Sequence, residues 1–294
     1  MQSHNNLRNI ILDGDVHPAD EAVLSPFSRL AAYGEGCFDT VRLYSGYALR
    51  PNEHLHRLKS GMTHLGLALP PALQSAESFR KLLHRFLEVN DALRMDVRLR
   101  IQVWADDHTT GYRPGNRTCR YIITGSSVSA PTSPFVSLIT SRVRRIPAAS
   151  LPPDVKWSNG INYILAAREA EQAGADDALM LTQDGHLSET TIANIFWKRG
   201  DTVFTPARCC DLLPGITRGL LISAMKQAGW KVCTGNFLPH HLREADVVWA
   251  CNSVREWYPV RELDGEPLGF DETAWDSCHA LFEKQKTEEL VHVC

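Results

Sequence analysis

Four short stretches of this chain carry residues whose types could do chemistry together. Lys156 lies in "PPDVKWSNG", between a proline-stiffened entry and a Ser-Asn-Gly turn, with Val155 and Trp157 beside it and no acidic residue downstream until Glu169. A lysine attacks a carbonyl only as the neutral amine, and apolar or cationic surroundings favour that form. Glu189, in "LSETTIANIFW", is a carboxylate able to keep a pyridine-type nitrogen protonated, and Asn194 beyond it is either a polar core residue or a support for the same site. In "LLPGITRG", Gly215 lets the backbone approach a ligand, and Ile216 and Thr217 open a helix. Such a start offers N–H groups to a phosphate, with a dipole worth about 0.3–1 kcal/mol, rising to about 2 when partly buried. Arg57, in "EHLHRLKSG", has the fork that grips a phosphate through two bonds. Each stretch also has an ordinary reading: a loop lysine, an edge-strand glutamate, a helix cap and a solvated arginine.

The elements that must position these residues alternate between hairpins and helices. "NIILDGDV" carries an Asp-Gly turn and "FDTVRLYSGYALR" a Ser-Gly turn, followed by helical patterns over 52–65 and 78–89. "DVRLRIQVW" and "CRYIIT" read as strands. "GSSVSAPTSP", residues 125–134, is rich in Gly, Ser and Pro and reads as a linker between an N-terminal domain, 1–124, and a C-terminal domain, 135–294. Beyond it the pattern predicts a helix over 161–173, a hairpin about Asp184-Gly185, and strands in "TIANIFWK" and "TVFTP". A helix from Ile216, a strand in "ADVVWACN" and a last helix near 273–286 follow. Strands that come in hairpins rather than in strict alternation with helices favour an α+β fold.

Composition narrows the partners. The 294 residues are 44% hydrophobic and 22% charged, with a formal charge of −3 and no basic stripe interleaved with aromatics, which argues against nucleic acid. Arg142, Arg144 and Arg145, the densest basic stretch, read as a solvated strand or turn. The N-terminus lacks a secretory pattern and no apolar run reaches the roughly 18 residues of a membrane span. The eight cysteines form no disulfide framework and no CxxC pair, so free thiols in a cytoplasmic protein are expected. His54/His56 and His240/His241 are joined by no Cys or carboxylate cluster, and no metal site is expected. "YGEGCFD" lacks the third glycine of a dinucleotide fingerprint.

Taken in order, these stretches resemble the fold-type IV pyridoxal phosphate enzymes, the class-IV aminotransferase family of branched-chain and D-amino-acid transaminases and 4-amino-4-deoxychorismate lyases. The resemblance spans about Leu12 to Val260 and is most specific in "VKWSNGINYILAAREAEQAGADDALML", "LSETTIANIFW" and "LLPGITRG". It implies a smaller N-terminal α/β domain, a larger C-terminal cofactor domain and a homodimer acting on a small-molecule amine. Lys156 would join the cofactor aldehyde, with Asn159 three residues on, and Glu189 would face the pyridine nitrogen. Arg57, of the His54–Arg57 "H-x-x-R" helix, Gly215, Ile216, Thr217, Asn252 and Ser253 would surround the phosphate, with Asn194 supporting the site.

Within the family the blocks point in more than one direction. "YGEGCFDTVR", which begins at Tyr33, and "ACNSVREWYPV" are similar to blocks of the lyases, and the "GTAA" block of branched-chain transaminases is absent. The Arg-x-His loop of D-amino-acid transaminases is also absent, and Asp106-Asp107, in that region, would repel a substrate carboxylate. Many lyases carry Arg-Gly where this chain has Ala105-Asp106, so Arg255 is the expected replacement cation, with Tyr33 on the substrate side. The lyase and the amino-acid transaminase use the same lysine, and both readings stay open.

Overall fold

The computed structural model describes residues 6–113, 115, 118–131 and 133–293. Contacts divide the chain into two units. One holds the residues up to 130 together with 155–159 and 289–293; the other holds 131–154 and 160–288. The short piece that carries Lys156 therefore packs with the N-terminal unit, not with the segment 135–294 to which its position in sequence assigns it.

The N-terminal unit contains β1 (Asn9–Leu12), β2 (Asp15–Pro18), α1 (Arg29–Tyr33), β3 (Gly36–Tyr44), β4 (Tyr47–Leu49), α2 (Pro51–Leu65), α3 (Ala76–Glu88), β5 (Asp96–Ala105) and β6 (Cys119–Ser127). With the C-terminal strand Leu290–His292, the strands form an antiparallel sheet in the order Leu290–His292, β4, β3, β5, β6, β1, β2. Period-two burial along β3 and β5 gives the sheet two faces. Val41, Leu43, Val97, Leu99, Ile101 and Val103 share a core with Leu55, Leu58 and Met62 of α2 and Phe79, Leu83 and Phe86 of α3. Emptying one such site, as in Phe86→Ala, costs about 3–5 kcal/mol. The alternate residues, Phe38, Thr40 and Arg42 of β3 and Arg98, Arg100 and Gln102 of β5, are half-buried. Gly125–Ser127, expected as linker, belong to β6. Gly125 is there because a Cβ would come within 2.7 Å of the Phe86 ring, so its small size answers a packing demand.

The second unit contains β7 (Val136–Thr140), α4 (Ile161–Ala173), β8 (Asp177–Leu181), β9 (Leu187–Thr190), β10 (Asn194–Arg199) and β11 (Thr202–Pro206). After these come α5 (Ile216–Gln227), β12 (Lys231–Gly235), α6 (His240–Arg243), β13 (Val247–Asn252), β14 (Glu256–Leu263), β15 (Glu266–Pro267) and α7 (Glu272–Glu289). The strand order is β12, β11, β10, β13, β14, β7, β8, β9, with β15 on β14. A further pairing of β9 with β10 closes the six strands from β10 to β9 into a ring, and the residues that close it are Glu189 and Asn194. Closure leaves those strands without a free edge. Leu138, Leu179, Leu181, Leu187, Ile195, Trp197, Val248 and Val260 fill a common core. Ala166 and Ala170 of α4 pack on Ala178 and Met180. The fold is α+β, as the hairpin pattern indicates, and among the described residues no helix is long and apolar enough to cross a membrane.

Candidate active site

In the second unit the site is built around Glu189. All four residues of β9 are buried, and Glu189 is 4% exposed. A charge so placed must be paired and hydrogen-bonded to persist. Tyr163 of α4 donates its hydroxyl to Oε1 at 3.0 Å, and Arg145 Nε lies 3.2 Å from the same oxygen. Oε2 accepts from Asn194 Nδ2 at 3.2 Å and from the Leu213 backbone N–H at 3.1 Å. Those donors match the roughly four lone-pair positions of a carboxylate. Burial, then the Glu189 charge, push the Tyr163 phenol well above its ordinary value, so its proton stays in place to be donated. Arg145, expected on a solvated turn, is 5% exposed and stacks over the Tyr163 ring at 4.5 Å. Its Nε also donates to the Asp211 carbonyl at 3.0 Å, which ties it to the loop before α5.

That loop ends at Gly215, which has φ −61° and ψ 143° and caps α5 without a side-chain hydrogen bond. The first-turn N–H groups of a helix have no intrahelical partner, and here no capping side chain takes them. Asn194 Nδ2 also donates to the Leu213 carbonyl at 2.9 Å. A Cβ on Gly215 would stand 2.2 Å from Asn194 Oδ1, so the glycine admits the side chain that holds Glu189. Ile216 and Thr217 are both buried. Asn252 spends its Oδ1 on the N–H groups of Val254 and Arg255, at 2.9 and 2.7 Å, and so shapes the turn that carries Ser253. Arg255, expected to receive a substrate carboxylate, stacks over Tyr258 at 4.3 Å and donates to the Ser133 carbonyl at 2.8 Å, which makes it a brace of its own turn.

In the N-terminal unit the backbone around Lys156 is fixed as a short strand. Phe38 N–H donates to the Lys156 carbonyl at 2.8 Å, Ser158 N–H donates to the Gly36 carbonyl at 2.9 Å, and Trp157 pairs with Cys37. Gly34, at φ 64°, and Gly36 allow the approach: a Cβ would come within 3.0 Å of Asn159 and within 2.6 Å of the Val103 carbonyl, respectively. Lys156 Nζ lies 5.2 Å from the Phe38 ring centre. Arg57 reaches Asp39 through Nε and Nη2, both at 2.8 Å, and His54 Nδ1 is 2.8 Å from Asp39 Oδ1. The Nε–Nη2 edge of Arg57 is thus committed to a carboxylate, and Nη1 lies outside that pairing. Burial alone would raise the Asp39 carboxyl, but the Arg57 guanidinium and His54 outweigh it and hold it well below the usual range. Tyr33 Oη accepts from Gly111 N–H at 2.7 Å, and Arg29 stacks on its ring. Arg29 also pairs with Glu35 and donates to the Gly111 carbonyl at 2.7 Å, which pins the loop that follows β5. Asp107, expected to face substrate, is buried in that loop, where it accepts from Thr109 and Gly115 N–H groups at 2.9 and 2.7 Å.

The family model described as "Amino-transferase class IV" matches residues 36–263. The chain belongs to that family. A Bacillus subtilis aminodeoxychorismate lyase is 27% identical over 96% of each chain. A putative branched-chain-amino-acid aminotransferase of Methanocaldococcus jannaschii is 31% identical over 88% of this chain and 89% of its own. Among solved structures, the branched-chain aminotransferase of Thermoproteus uzoniensis with norvaline superposes with a TM-score of 0.89 over 99% of this chain and 100% of its own, at 24% identity. The T.th. branched-chain amino acid aminotransferase complexed with N-(5'-phosphopyridoxyl)-L-glutamate gives 0.86 over 98% and 99%, at 26% identity.

Within this class IV chain, the structure brings Glu189, Asn194 and the Gly215 turn into one bonded cluster. Lys156, Tyr33 and Arg57 lie in the other unit, each in its own setting. Sequence reasoning missed Arg145, Tyr163 and Asp39. The "RVRR" run hides one buried arginine behind an exposed Arg142 and a half-buried Arg144, and only the Ile-Pro that follows hints at a turn into the interior.

Proposed function

We propose that this class IV enzyme is pyridoxal phosphate-dependent and acts as an aminodeoxychorismate lyase, releasing pyruvate from 4-amino-4-deoxychorismate to leave 4-aminobenzoate for folate synthesis. The observation that carries the cofactor is the Glu189 cluster: a buried carboxylate braced by Arg145, Tyr163, Asn194 and Leu213, beside an uncapped helix start at which Gly215 leaves room for the Asn194 side chain. The residues present fit the group. Glu189 would hold the proton on the ring nitrogen. The N–H groups of Ile216 and Thr217, with the Thr217 hydroxyl, would take the phosphate through bonds worth about 1.5–3 kcal/mol each. Arg57 Nη1, Asn252 and Ser253 are further candidates for that anion.

Bound pyridoxal phosphate supplies an aldehyde that links to amines and a ring that accepts electrons. Lys156 supplies the amine for that link. With the cofactor bound, the Lys156 Nζ would be the group that takes a proton from the substrate. The strand-like hydrogen bonds on either side of Lys156 fix its backbone, so that only the side chain need move.

Support for the lyase over a transaminase comes from the Bacillus subtilis relative across nearly the whole chain and from a Vibrio harveyi aminodeoxychorismate lyase at 26% identity. The Methanocaldococcus jannaschii relative and a D-alanine aminotransferase of Listeria monocytogenes, at 26%, support the second reading, transfer of an amino group to a 2-oxo acid. Supplying the holoenzyme with aminodeoxychorismate and no 2-oxo acid separates them. Pyruvate release meets the lyase reading, and turnover that strictly requires a 2-oxo acid sinks it. Ile161, Ile164 and Leu165 leave an exposed apolar stripe on α4, which supports the homodimer expected of the family.

A further inference from the structure

Among the described cysteines, Cys37, Cys251 and Cys278 are buried, and burial pushes their thiols up. Cys209 and Cys210 stand apart. They sit side by side at the end of a one-turn helix, Arg208–Cys210, that follows β11 in the second unit. Cys209 is exposed, whereas Cys210 is 1% exposed. Both sulfurs donate to one oxygen, Asn236 Oδ1, at 3.3 Å each, and Asn236 lies just past β12, the parallel neighbour of β11. Cys210 Sγ also reaches the Gly235 carbonyl at 3.7 Å, and the two thiols are close enough to hydrogen-bond to each other. A thiol is a weak donor, so these contacts cost little to give up, and the exposed Asn236 side chain can turn into solvent.

Two converging thiols have two fates. A disulfide is disfavoured here: adjacent Cα atoms joined by a trans peptide are about 3.8 Å apart, short of the roughly 4.4 Å that a relaxed bridge needs. A soft ion carries no such constraint, because each sulfur bonds to it separately and thiolates are the ligands such ions select.

We propose that Cys209 and Cys210 form a chelating site for a thiophilic ion of the trivalent organoarsenical class, with Asn236 giving way as the ion enters. With an arsonous acid, R–As(OH)2, two As–O bonds break and two As–S bonds form. The thiol protons leave with the hydroxyls as water, arsenic stays trivalent, and no oxidant or reductant is needed. Cys209 makes the first bond from the surface. Cys210 then closes the ring as an intramolecular step, which raises affinity about 10²–10⁴-fold over one thiol.

Occupation has a route to the Glu189 cluster. Asp211, the next residue, has φ 58°; its carbonyl accepts from Arg145 Nε at 3.0 Å and its Oδ1 from Ala148 N–H at 2.9 Å. Drawing the buried Cys210 sulfur outward turns the backbone at 210–211 and takes that carbonyl from Arg145, the partner of Glu189. Cofactor affinity should therefore fall when the ion is bound. That consequence rests on the reading of Glu189 as a cofactor residue; the site itself does not.

The test titrates the holoenzyme with phenylarsine oxide in a Cys233→Ser/Cys294→Ser parent, which lacks the other exposed cysteine described and the one outside the described residues. Native mass spectrometry should show one adduct per chain, released by dimercaptopropanol at concentrations where mercaptoethanol has no effect. Cys209→Ser and Cys210→Ser should each weaken binding at least about a hundredfold. A single variant that binds as tightly as the parent overturns the proposal, as does an adduct that mercaptoethanol removes as readily as the dithiol. Should Cys210→Ser not fold, Cys209→Ser decides alone. Titration with pyridoxal phosphate should show weaker binding to the adduct than to the free parent. Equal affinity removes the link through Asp211 and keeps the dithiol site, and absence of pyruvate release by wild type bears on neither.

Discussion

Gly215→Ala adds one carbon and tests the whole Glu189 cluster. The backbone at 215, with φ −61° and ψ 143°, is open to alanine, so the change brings no conformational strain. What it brings is a Cβ 2.2 Å from Asn194 Oδ1, far inside contact distance. Asn194 must yield, and its Nδ2 then loses the Leu213 carbonyl at 2.9 Å and Glu189 at 3.2 Å. The neutral bond is worth about 0.5–1.5 kcal/mol and the one to a charged acceptor about 1.5–3, so the expected loss is about 2–4 kcal/mol. Urea denaturation of the apo protein reads that loss, and pyridoxal phosphate titration should show weaker binding. Gly219→Ala is the control. Gly219 is exposed in α5 with no atom within 4 Å of a new Cβ, so alanine there should stabilise by about 0.5–1 kcal/mol. In an Asn194→Ala background the obstacle is gone and Gly215→Ala should cost little, the non-additivity expected of touching residues. A Gly215→Ala protein within about 0.5 kcal/mol of wild type, or a cost undiminished in the Asn194→Ala background, would refute the steric reasoning.

The other expectations concern single side chains. Arg145→Leu removes a buried cation from beside Glu189, so stability should fall, by up to about 3–5 kcal/mol in urea, and a loss below about 1 would mean that the pair is not needed. Asp39 has a folded pKa held below its unfolded value of about 3.9. Its contribution is therefore fully present above about pH 5 and is lost as pH falls through the carboxylate range towards the folded value. The stability difference between wild type and Asp39→Asn should accordingly shrink as pH is lowered from about 5 towards 3, and a difference that grows on acidification contradicts the sign. Arg255→Ala should leave substrate KM within about twofold of wild type, because its guanidinium braces Tyr258 and Ser133. A tenfold rise in KM would restore it as the substrate cation.

Local signals account for what was legible in the sequence. The helix over 161–173 was readable to the residue, because Ser-Asn-Gly opens it and Gly174, at φ 72°, ends it. Lys156 stood out because prolines and a turn isolate it from any charged helix face. The residues that complete the sites were not legible, since what defines each of them is a partner far along the chain. Arg145 looks like its exposed neighbour Arg142 until Glu189 is placed beside it, and Asp39 is an ordinary strand residue until α2 lays His54 and Arg57 against it. Gly125 reads as linker because composition records the absence of a side chain and not the Phe86 ring that requires it.

Glu189 and Asn194 do two jobs at once, and this constrains how the second unit can change. They are the residues through which β9 meets β10 to close the ring, and they are also bonded side chain to side chain. A register slip of one residue in either strand would turn the carboxylate to the opposite face and separate it from Tyr163, Arg145 and Leu213 together. The position of Glu189 is thus specified by strand pairing, and its charge by the buried arginine. Each can be perturbed alone: Arg145→Leu acts on the charge with the strands intact, and Gly215→Ala acts on the brace with the charge pair intact. If both variants lose cofactor affinity in proportion to their loss of stability, the cluster acts through folding alone. A greater loss of affinity from Arg145→Leu at matched stability would show that the arginine sets how firmly Glu189 holds its proton partner.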